Sequence, residues 1–282
     1  MIGTSALQSR LAELERGASL RSSFAARCEI SLQLEAMLSA ELDPELQARA
    51  VRLTAQLDAA DARLFSRLRS RLRAGRFSRH GLLRGLRRHA AQRDATRHHS
   101  PLDVLLAGLF DAGELPDELP HAPEMVAYQP APGSVILRLL DELHAADVVY
   151  DLGSGLGRVV LAVALLTAAR AKGVEFQPAF CAYASQVAEQ LNASRAEFVA
   201  LDARDAHLHD GTVFFLYTPF RGALLRVVLD KLRAVATGHA IRVCTFGPCT
   251  AEVLREPWLR PRGDGFDSSE LAIFDSRCVD DG

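Results

Sequence analysis

The first part of the chain has the hydrophobic spacing of helices. From Ser5 to about His89, leucines recur at intervals of three, four and seven residues, which places them on one side of a helix. The pair Asp43-Pro44 indicates a helix start, because proline suits the first helical turn. This pattern predicts an all-α N-terminal domain, a helical bundle, over residues 1–120.

The pattern changes after a proline-rich connector over residues 115–132. Short runs of β-branched or aromatic residues then alternate with helical stretches, which is typical of a parallel sheet with helices on both faces. The predicted strands are 148–151, 173–175, 197–201, 213–217, 240–246 and 271–274. The predicted helices are 133–144, 156–171, 178–192, 222–235 and 250–256. The predicted fold class of residues 121–282 is therefore α/β.

Composition narrows the class of protein. The chain has 282 residues, of which 49% are hydrophobic and 24% charged, as in ordinary globular proteins. Its five cysteines form no C-x-x-C pair and have no histidine at ligand spacing, so neither a zinc site nor a disulfide framework is indicated. The most apolar run, residues 159–169, is too short to span a bilayer, and the first ten residues lack a signal pattern. We expect a soluble, cytoplasmic protein without a metal or a membrane partner.

A glycine-rich turn carries the most specific chemistry. Residues 148–158 read VVYDLGSGLGR, a strand that ends at Asp151 and enters a D-x-G-x-G-x-G turn before a helix. Glycine tolerates positive φ and leaves the backbone open to a ligand, while N–H groups at the helix start can meet an anion. A dinucleotide fingerprint would need glycine at position 158, where this chain has arginine. For S-adenosylmethionine (SAM), the anion would be the methionyl carboxylate, and Asp151 would accept hydrogen bonds from the cationic end.

Acidic residues follow the next two predicted strands. Glu175 ends the strand after the turn, about 20 residues on, at the spacing where a carboxylate accepts both ribose hydroxyls. After the third strand, either Asp202 or Asp205 can accept the adenine amino group. The spacing from Asp151 to Glu175 favours a nucleoside ligand over two unrelated surface carboxylates.

The fourth predicted strand, residues 213–217, runs into a proline and ends beside aromatic residues. Its end lies at the carboxyl edge of the sheet, where open α/β folds bind ligands. Aromatic faces there attract a sulfonium or ammonium group by about 0.5 to 2 kcal/mol. We expect Phe214 and Phe215 in the core, and at the site Tyr217, Thr218 and Phe220.

Because of these motifs, residues 125–246 resemble class I SAM-dependent methyltransferases, and most of all the Dot1-type lysine methyltransferases and their bacterial relatives. The matching pieces are Tyr128 with the helix after it and the runs 150–161, 173–175 and 213–220. The resemblance implies that SAM is bound by Asp151, Gly153, Gly155, Glu175 and Asp202, with Tyr128 and Tyr217 near the transferred methyl group. To the cofactor-binding candidates we add Ser154, Gly157, Tyr217 and Thr218, and to the catalytic candidates Phe220.

The chain also departs from the Dot1 pattern. Tyr217 begins the run YTPF where Dot1-type enzymes have asparagine at the end of the fourth strand, and Gln129 stands where glutamate is expected. The N-terminal lobe of Dot1-type enzymes is not evident either. Lysine therefore does not follow as the acceptor, and nothing in the sequence supports a histone substrate.

We therefore expect a SAM-dependent methyltransferase that acts on a small-molecule or a peptide or protein acceptor, with nitrogen slightly favoured. A hydroxyl or carbon acceptor would need a base, for which His121, Asp202, His207 and His209 are the candidates.

Two alternatives stay open. One is an RNA methyltransferase whose arginines between residues 63 and 97 bind phosphates, although interleaved leucines and few aromatic residues favour an amphipathic bundle helix. The other is a non-catalytic SAM-binding assembly module whose helical half forms a homodimer.

Overall fold

A computed structural model describes residues 4–18, 23–90, 100–117, 120, 123–263 and 267–277. The chain forms two compact units. One consists of Met1–Arg76 and Arg84–Leu109, and the other of Phe77–Leu83 and Phe110–Gly282. The predicted base candidate His121 lies outside the described residues.

Helices make up most of the described residues before residue 110. They are α1 (Thr4–Gly17), α2 (Phe24–Leu38), α3 (Pro44–Arg73), α4 (Arg79–Ala90) and α5 (Pro101–Leu109). Leucines at the predicted spacing fill the core between α1, α2 and α3, among them Leu11, Leu34 and Leu53. The predicted start of α3 is confirmed: the Asp43 carboxylate accepts hydrogen bonds from the N–H groups of Glu45 and Leu46, which proline in the first turn leaves undisturbed.

The second unit alternates strands and helices. Its helices are α6 (Gly133–Asp141), α7 (Arg158–Leu166), α8 (Pro178–Leu191), α9 (Gly222–Ala236) and α10 (Thr250–Val253). Its strands are β1 (Val148–Leu152), β2 (Arg170–Glu175), β3 (Ala196–Ala200), β4 (Val213–Tyr217), β5 (Arg242–Phe246), β6 (Leu259–Pro261) and β7 (Ala272–Ser276). Every residue of β1 is buried, as expected for a strand covered on both faces.

The seven strands form one sheet in the order β3-β2-β1-β4-β5-β7-β6. The first five are parallel, whereas β7 runs antiparallel to β5 and β6 antiparallel to β7. The connections change direction between β1 and β4, and in open α/β sheets a ligand crevice lies at the carboxyl ends of the strands at such a point. The predicted fold class, a Rossmann-like methyltransferase sheet with helices, preceded by an all-α region, is confirmed.

The largest boundary error lies between α7 and β2. The predicted helix 156–171 ends at Leu166, and β2 begins at Arg170. Thr167 is extended, and its hydroxyl donates to the Val163 carbonyl and accepts from the Ala169 N–H, so a tight turn replaces the last helical turn. The short strand β6 was missed because three residues ending in Pro261 show no alternating pattern.

The fourth strand agrees with its prediction at both ends, Val213 and Tyr217. Phe214 and Phe215 are fully buried in the core, as predicted. Among the helices that the structure describes, none is both long and apolar enough to cross a membrane.

Candidate functional site

A cavity of about 440 Å³ opens at the carboxyl ends of the parallel strands. Its wall is built from the residues that follow β1, β2, β3, β4 and β5 and from the segment 125–129, which lies ahead of α6. Eight of the predicted site residues line it: Tyr128, Gly153, Gly155, Glu175, Asp202, Tyr217, Thr218 and Phe220. Three predicted cofactor-binding residues do not: Asp151, Ser154 and Gly157.

The glycine turn is tied to the neighbouring strand by its backbone. The N–H groups of Gly153 and Ser154 both donate to the Val174 carbonyl, at 2.8 and 3.1 Å. Gly153, Gly155 and Gly157 have φ angles of 84°, 51° and 78°, a region that L side chains rarely adopt. The sequence needs glycine at these positions because the chain must turn sharply between β1 and α7.

Protein side chains pack closely on two of these glycines. A Cβ at Gly155 would lie 2.3 Å from the Tyr128 ring, and one at Gly153 would lie 2.3 Å from the Pro219 side chain. Tyr128 is itself half-buried, with its ring centroid 5.6 Å from that of Phe180, and burial raises the pKa of Tyr128 to about 12. Tyr128 therefore forms the wall opposite the turn and stays protonated at neutral pH.

Ser154 and Gly157 lie behind the turn. The Ser154 hydroxyl is buried next to Gly173, and within the described part of the chain it has no hydrogen-bond partner. A Cβ at Gly157 would lie 2.5 Å from the Phe198 ring. Both residues pack the turn against β2, β3 and α8, and neither lines the cavity.

Two carboxyl groups lie at the base of the turn. Glu175 faces the cavity, and its oxygens accept hydrogen bonds from the N–H groups of Gly155, at 2.8 Å, and Gln177, at 2.9 Å. Asp151 is buried directly behind it. Burial, together with the negative charge of Glu175, raises the pKa of Asp151 to about 8. This end of the site therefore favours a cation, which would let Asp151 release its proton.

The end of β3 adds a third carboxylate. Asp202 accepts two hydrogen bonds from the Arg204 guanidinium, at 3.0 and 2.8 Å, and these lower the pKa of Asp202. Asp202 lines the cavity, whereas the alternative candidate Asp205 does not.

Sequence reasoning missed two apolar lining residues, Phe176 and Leu201, which are 44% and 40% exposed. Phe176 directly follows the predicted strand 173–175, and Leu201 ends the predicted strand 197–201, so a large apolar residue at the end of a strand is the signal that was available. With Asp202 beside them, this part of the lining has two large apolar side chains and a carboxylate that can accept hydrogen bonds.

The opposite end of the cavity is aromatic. The ring centroids of Tyr217 and Phe246 are 4.8 Å apart, and the Tyr217 hydroxyl donates to the Gln129 side-chain oxygen at 3.3 Å. Burial raises the pKa of Tyr217. Phe246 and Gln129 were not predicted as site residues, because only the parallel pairing of β4 with β5 brings the two rings together.

The side chains of Thr218 and Phe220 are buried and pack beneath the aromatic end of the cavity. Thr218 has a φ of 39°, a strained conformation for threonine, and its hydroxyl donates to the Phe246 carbonyl and accepts from the Cys249 N–H. Phe220 is 4% exposed and belongs to the core cluster under the sheet. Its side chain therefore exposes little surface for the predicted catalytic role.

The segment 124–129 is fixed across the end of β4. The Val126 N–H donates to the Pro219 carbonyl and the Arg221 N–H to the Glu124 carbonyl. The Glu124 carboxylate caps the start of α9 by accepting from the Ala223 N–H at 3.0 Å and the Leu224 N–H at 3.2 Å. These bonds hold Tyr128 over the turn and Gln129 beside Tyr217.

The positions of the candidate bases do not favour a role in proton removal. His207 and His209 are exposed and do not line the cavity. Asp202 does line it, but as an ionised carboxylate engaged by Arg204. In the described lining, the end around Tyr217 includes no carboxylate and no histidine.

Comparison with known proteins gives one family match. The family model described as "Histone methylation protein DOT1" matches residues 134–214. The comparison with curated proteins finds no match.

Three of the solved structures that are similar to this chain are as follows. An RNA methyltransferase from Salinibacter ruber in complex with S-adenosyl-L-homocysteine is 27% identical, with a TM-score of 0.40, over 52% of this chain and 92% of the other. TrmN from Thermus thermophilus is 19% identical, with a TM-score of 0.39, over 52% of this chain and 48% of the other, so the match spans about half of its length. Magnesium protoporphyrin IX methyltransferase from Synechocystis, with bound SAM, is 15% identical, with a TM-score of 0.40, over 51% of this chain and 76% of the other.

Proposed function

We propose that the chain carries a class I SAM-dependent methyltransferase domain and that it transfers the methyl group of SAM to a neutral nitrogen atom held at the Tyr217 end of the cavity. One observation carries the proposal. The glycine turn after β1 and Glu175 at the end of β2 face the same cavity, with a buried carboxyl group, Asp151, behind them.

The carboxylate end fits the cofactor. Asp151 and the turn would hold the amino-acid part, whose ammonium group replaces the proton that Asp151 otherwise keeps up to about pH 8. Glu175 would hold the ribose hydroxyls, since its carboxylate lines the cavity and a carboxylate oxygen can accept more than one hydrogen bond. Phe176 and Leu201 would cover the adenine, and Asp202 would accept from its amino group.

SAM supplies a methyl carbon that is already activated by its sulfonium. As the acceptor nitrogen forms the new bond to carbon, the sulfur–carbon bond breaks and its electron pair stays on sulfur, which gives S-adenosylhomocysteine. The nitrogen then loses a proton to solvent. Positioning the two reactants can supply roughly 7 to 11 kcal/mol of the barrier, so the chain needs no nucleophile of its own.

The aromatic end fits the acceptor. Tyr217 and Phe246 offer ring faces for a flat group, and Gln129 lies beside the Tyr217 hydroxyl to orient a polar atom. A nitrogen with a free lone pair suits this lining because no base has to remove a proton before transfer. Small molecules, peptides in their neutral form and nucleobases all provide such nitrogens.

Calorimetry with S-adenosylhomocysteine tests the placement of the cofactor. We expect Glu175→Ala to weaken binding by about 100-fold, or about 2.7 kcal/mol, because the ribose loses its acceptors. The matched control is Asp205→Asn, an acidic residue two strands away from the turn that does not line the cavity. Equal affinity in the wild type and Glu175→Ala, or no binding to the wild type, would contradict the proposal.

Turnover is tested separately with methyl-labelled SAM and fractionated cell extract. We expect label in one class of acceptor, and its transfer should depend on Glu175. Binding of S-adenosylhomocysteine without label in any fraction would instead support a non-catalytic SAM-binding module.

A further inference from the structure

The helical unit has a segment of one charge only. Residues 62–93 contain eleven of the chain's 33 basic side chains, all of them arginine, and none of its 35 acidic ones. The segment covers the second half of α3 and nearly all of α4. Since the whole chain has a net charge of -2, this concentration of arginine is local and is balanced elsewhere.

The arginines lie on the solvent side of both helices. On α3, Arg63, Arg67 and Arg71 follow one another at intervals of four residues and are exposed. A spacing of four residues puts neighbouring charges on one face, about 6 Å apart along the helix. On α4, Arg84 and Arg88 repeat the arrangement, with the leucines of the helix turned inward.

The two rows lie on helices that pack against the same residue of α2. Phe24 of α2 contacts Phe65 of α3, with ring centroids 5.8 Å apart, and also His89 of α4, at 5.4 Å. The middle of α3 and the end of α4 therefore pack on the same side chain. We call the exposed arginines of these two helices the arginine surface: Arg63, Arg67, Arg71, Arg84, Arg87 and Arg88.

The first half of α3 shows what a merely solvated helix face looks like in this chain. It mixes Glu45, Arg49, Arg52 and Asp58, and Arg49 forms an ion pair with Glu15 of α1 at 2.7 Å. Like charges at a spacing of four residues destabilise a helix, whereas mixed charges stabilise it. The like charges along the second half are therefore unfavourable for the helix, and a polyanion bound along it would relieve their repulsion.

We propose that the arginine surface binds the phosphate backbone of a nucleic acid, and that this nucleic acid carries the methyl acceptor. A nucleic-acid backbone presents a regular row of negative charges, one per 3.4 Å along each strand of a duplex. Such a row matches rows of arginines better than the scattered carboxylates of a protein partner do. None of the exposed large apolar side chains in the described chain lies within residues 63–88, so this surface has nothing to insert into a membrane.

The second part of the proposal rests on the proposed function. At the Tyr217 end of the cavity, the Tyr217 and Phe246 rings would stack on an unpaired base, as aromatic side chains do in many nucleic-acid sites. The transfer would balance as above: the ring or amino nitrogen of the base gains the methyl carbon, sulfur keeps the electron pair of the broken bond, and the nitrogen loses one proton.

Binding of fluorescent 20-nucleotide RNA and DNA, single-stranded and duplex, to the full chain in 50 to 300 mM KCl tests the surface. We expect Arg63→Gln/Arg67→Gln and Arg84→Gln/Arg88→Gln each to weaken binding about 10-fold at 100 mM KCl. The slope of log affinity against log salt should flatten by about 1.5 in each, since each lost phosphate contact removes about 0.7 to 0.9. The matched control, Arg52→Gln/Arg233→Gln, removes the same charge from exposed positions outside the segment and should bind like the wild type.

Three results would overturn the proposal: no nucleic-acid binding by the wild type, equal loss in the control and the test variants, or equally tight binding to polyglutamate or anionic lipid vesicles. Label from SAM in small molecules or proteins and not in RNA or DNA would overturn its second part. Calorimetry with S-adenosylhomocysteine on the same samples separates the two proposals. Cofactor binding without nucleic-acid binding defeats this inference alone. Nucleic-acid binding without cofactor binding defeats the proposed function, and with it the second part of this inference, but leaves binding by the arginine surface standing.

Discussion

The two ends of the cavity differ in charge. Around the glycine turn, Glu175 and Asp202 line the cavity with carboxylates, and behind them the buried Asp151, whose pKa is raised to about 8, is protonated at neutral pH. Around the end of β4, Tyr217 and Phe246 supply aromatic faces. The first end suits a ligand with an ammonium group and several hydroxyls, and the second suits a flat neutral one. This difference in charge fits the proposed transfer of a methyl group from a sulfonium to a neutral nitrogen.

The largest effect should come from filling the turn. Gly155→Ala forces a side chain into a φ of 51° and against the Tyr128 ring, so binding of S-adenosylhomocysteine should fall below detection and the melting temperature should drop. Gly75→Ala is the control, because Gly75 has a similar φ, 62°, with nothing near its Cβ position. The control should cost only about 1 to 2 kcal/mol of stability, with cofactor affinity unchanged. If both variants bind equally well, the turn is not the cofactor site.

A smaller effect should appear at the aromatic end. Tyr217→Ala removes one wall of the acceptor site, so kcat should fall by about 100-fold through lost positioning, with affinity for S-adenosylhomocysteine within about threefold of wild type. Tyr217→Phe keeps the ring and loses only the bond to Gln129, so it should retain most of the activity. A parallel loss of cofactor affinity and kcat in Tyr217→Ala would mean that the two ends are not separate.

The smallest effect concerns stability and pH. The folded chain holds the Asp151 proton up to about pH 8, whereas the unfolded chain releases it near the ordinary pKa of 3.8, so ionisation of Asp151 destabilises the fold as pH rises through this range. Asp151→Asn should remove that loss and raise the melting temperature by about 2 °C or more at pH 8.5, with little change at pH 4. Equal pH dependence in both proteins would show that Asp151 ionises freely.

The sequence predicted the local parts of this site. Val213 to Tyr217 was correct as a strand because a continuous apolar run between turn residues has one interpretation. Glu175 was singled out because it ends a strand next to a recognisable turn, and it lines the cavity, whereas Asp151, singled out in the same way, is buried and does not line it. Such features depend on neighbours within a few residues, which a sequence displays directly.

The parts that the sequence did not predict depend on contacts between distant residues. Tyr128 lies on Gly155 although 27 positions separate them, and Phe246 meets Tyr217 only through the pairing of β4 with β5. Ser154 and Gly157 belong to the motif, yet the curvature of the turn directs them into the packing behind it. Which residue of a motif faces a ligand is set by backbone conformation.

Proton release on cofactor binding tests the charge asymmetry most directly. Titration of S-adenosylhomocysteine at pH 7 in two buffers with different ionisation enthalpies gives the number of protons released per ligand. The ammonium group of the ligand should displace the Asp151 proton, so we predict nearly one proton for the wild type and nearly none for Asp151→Asn. The same proton count in both proteins would contradict the placement of the cofactor at the carboxylate end.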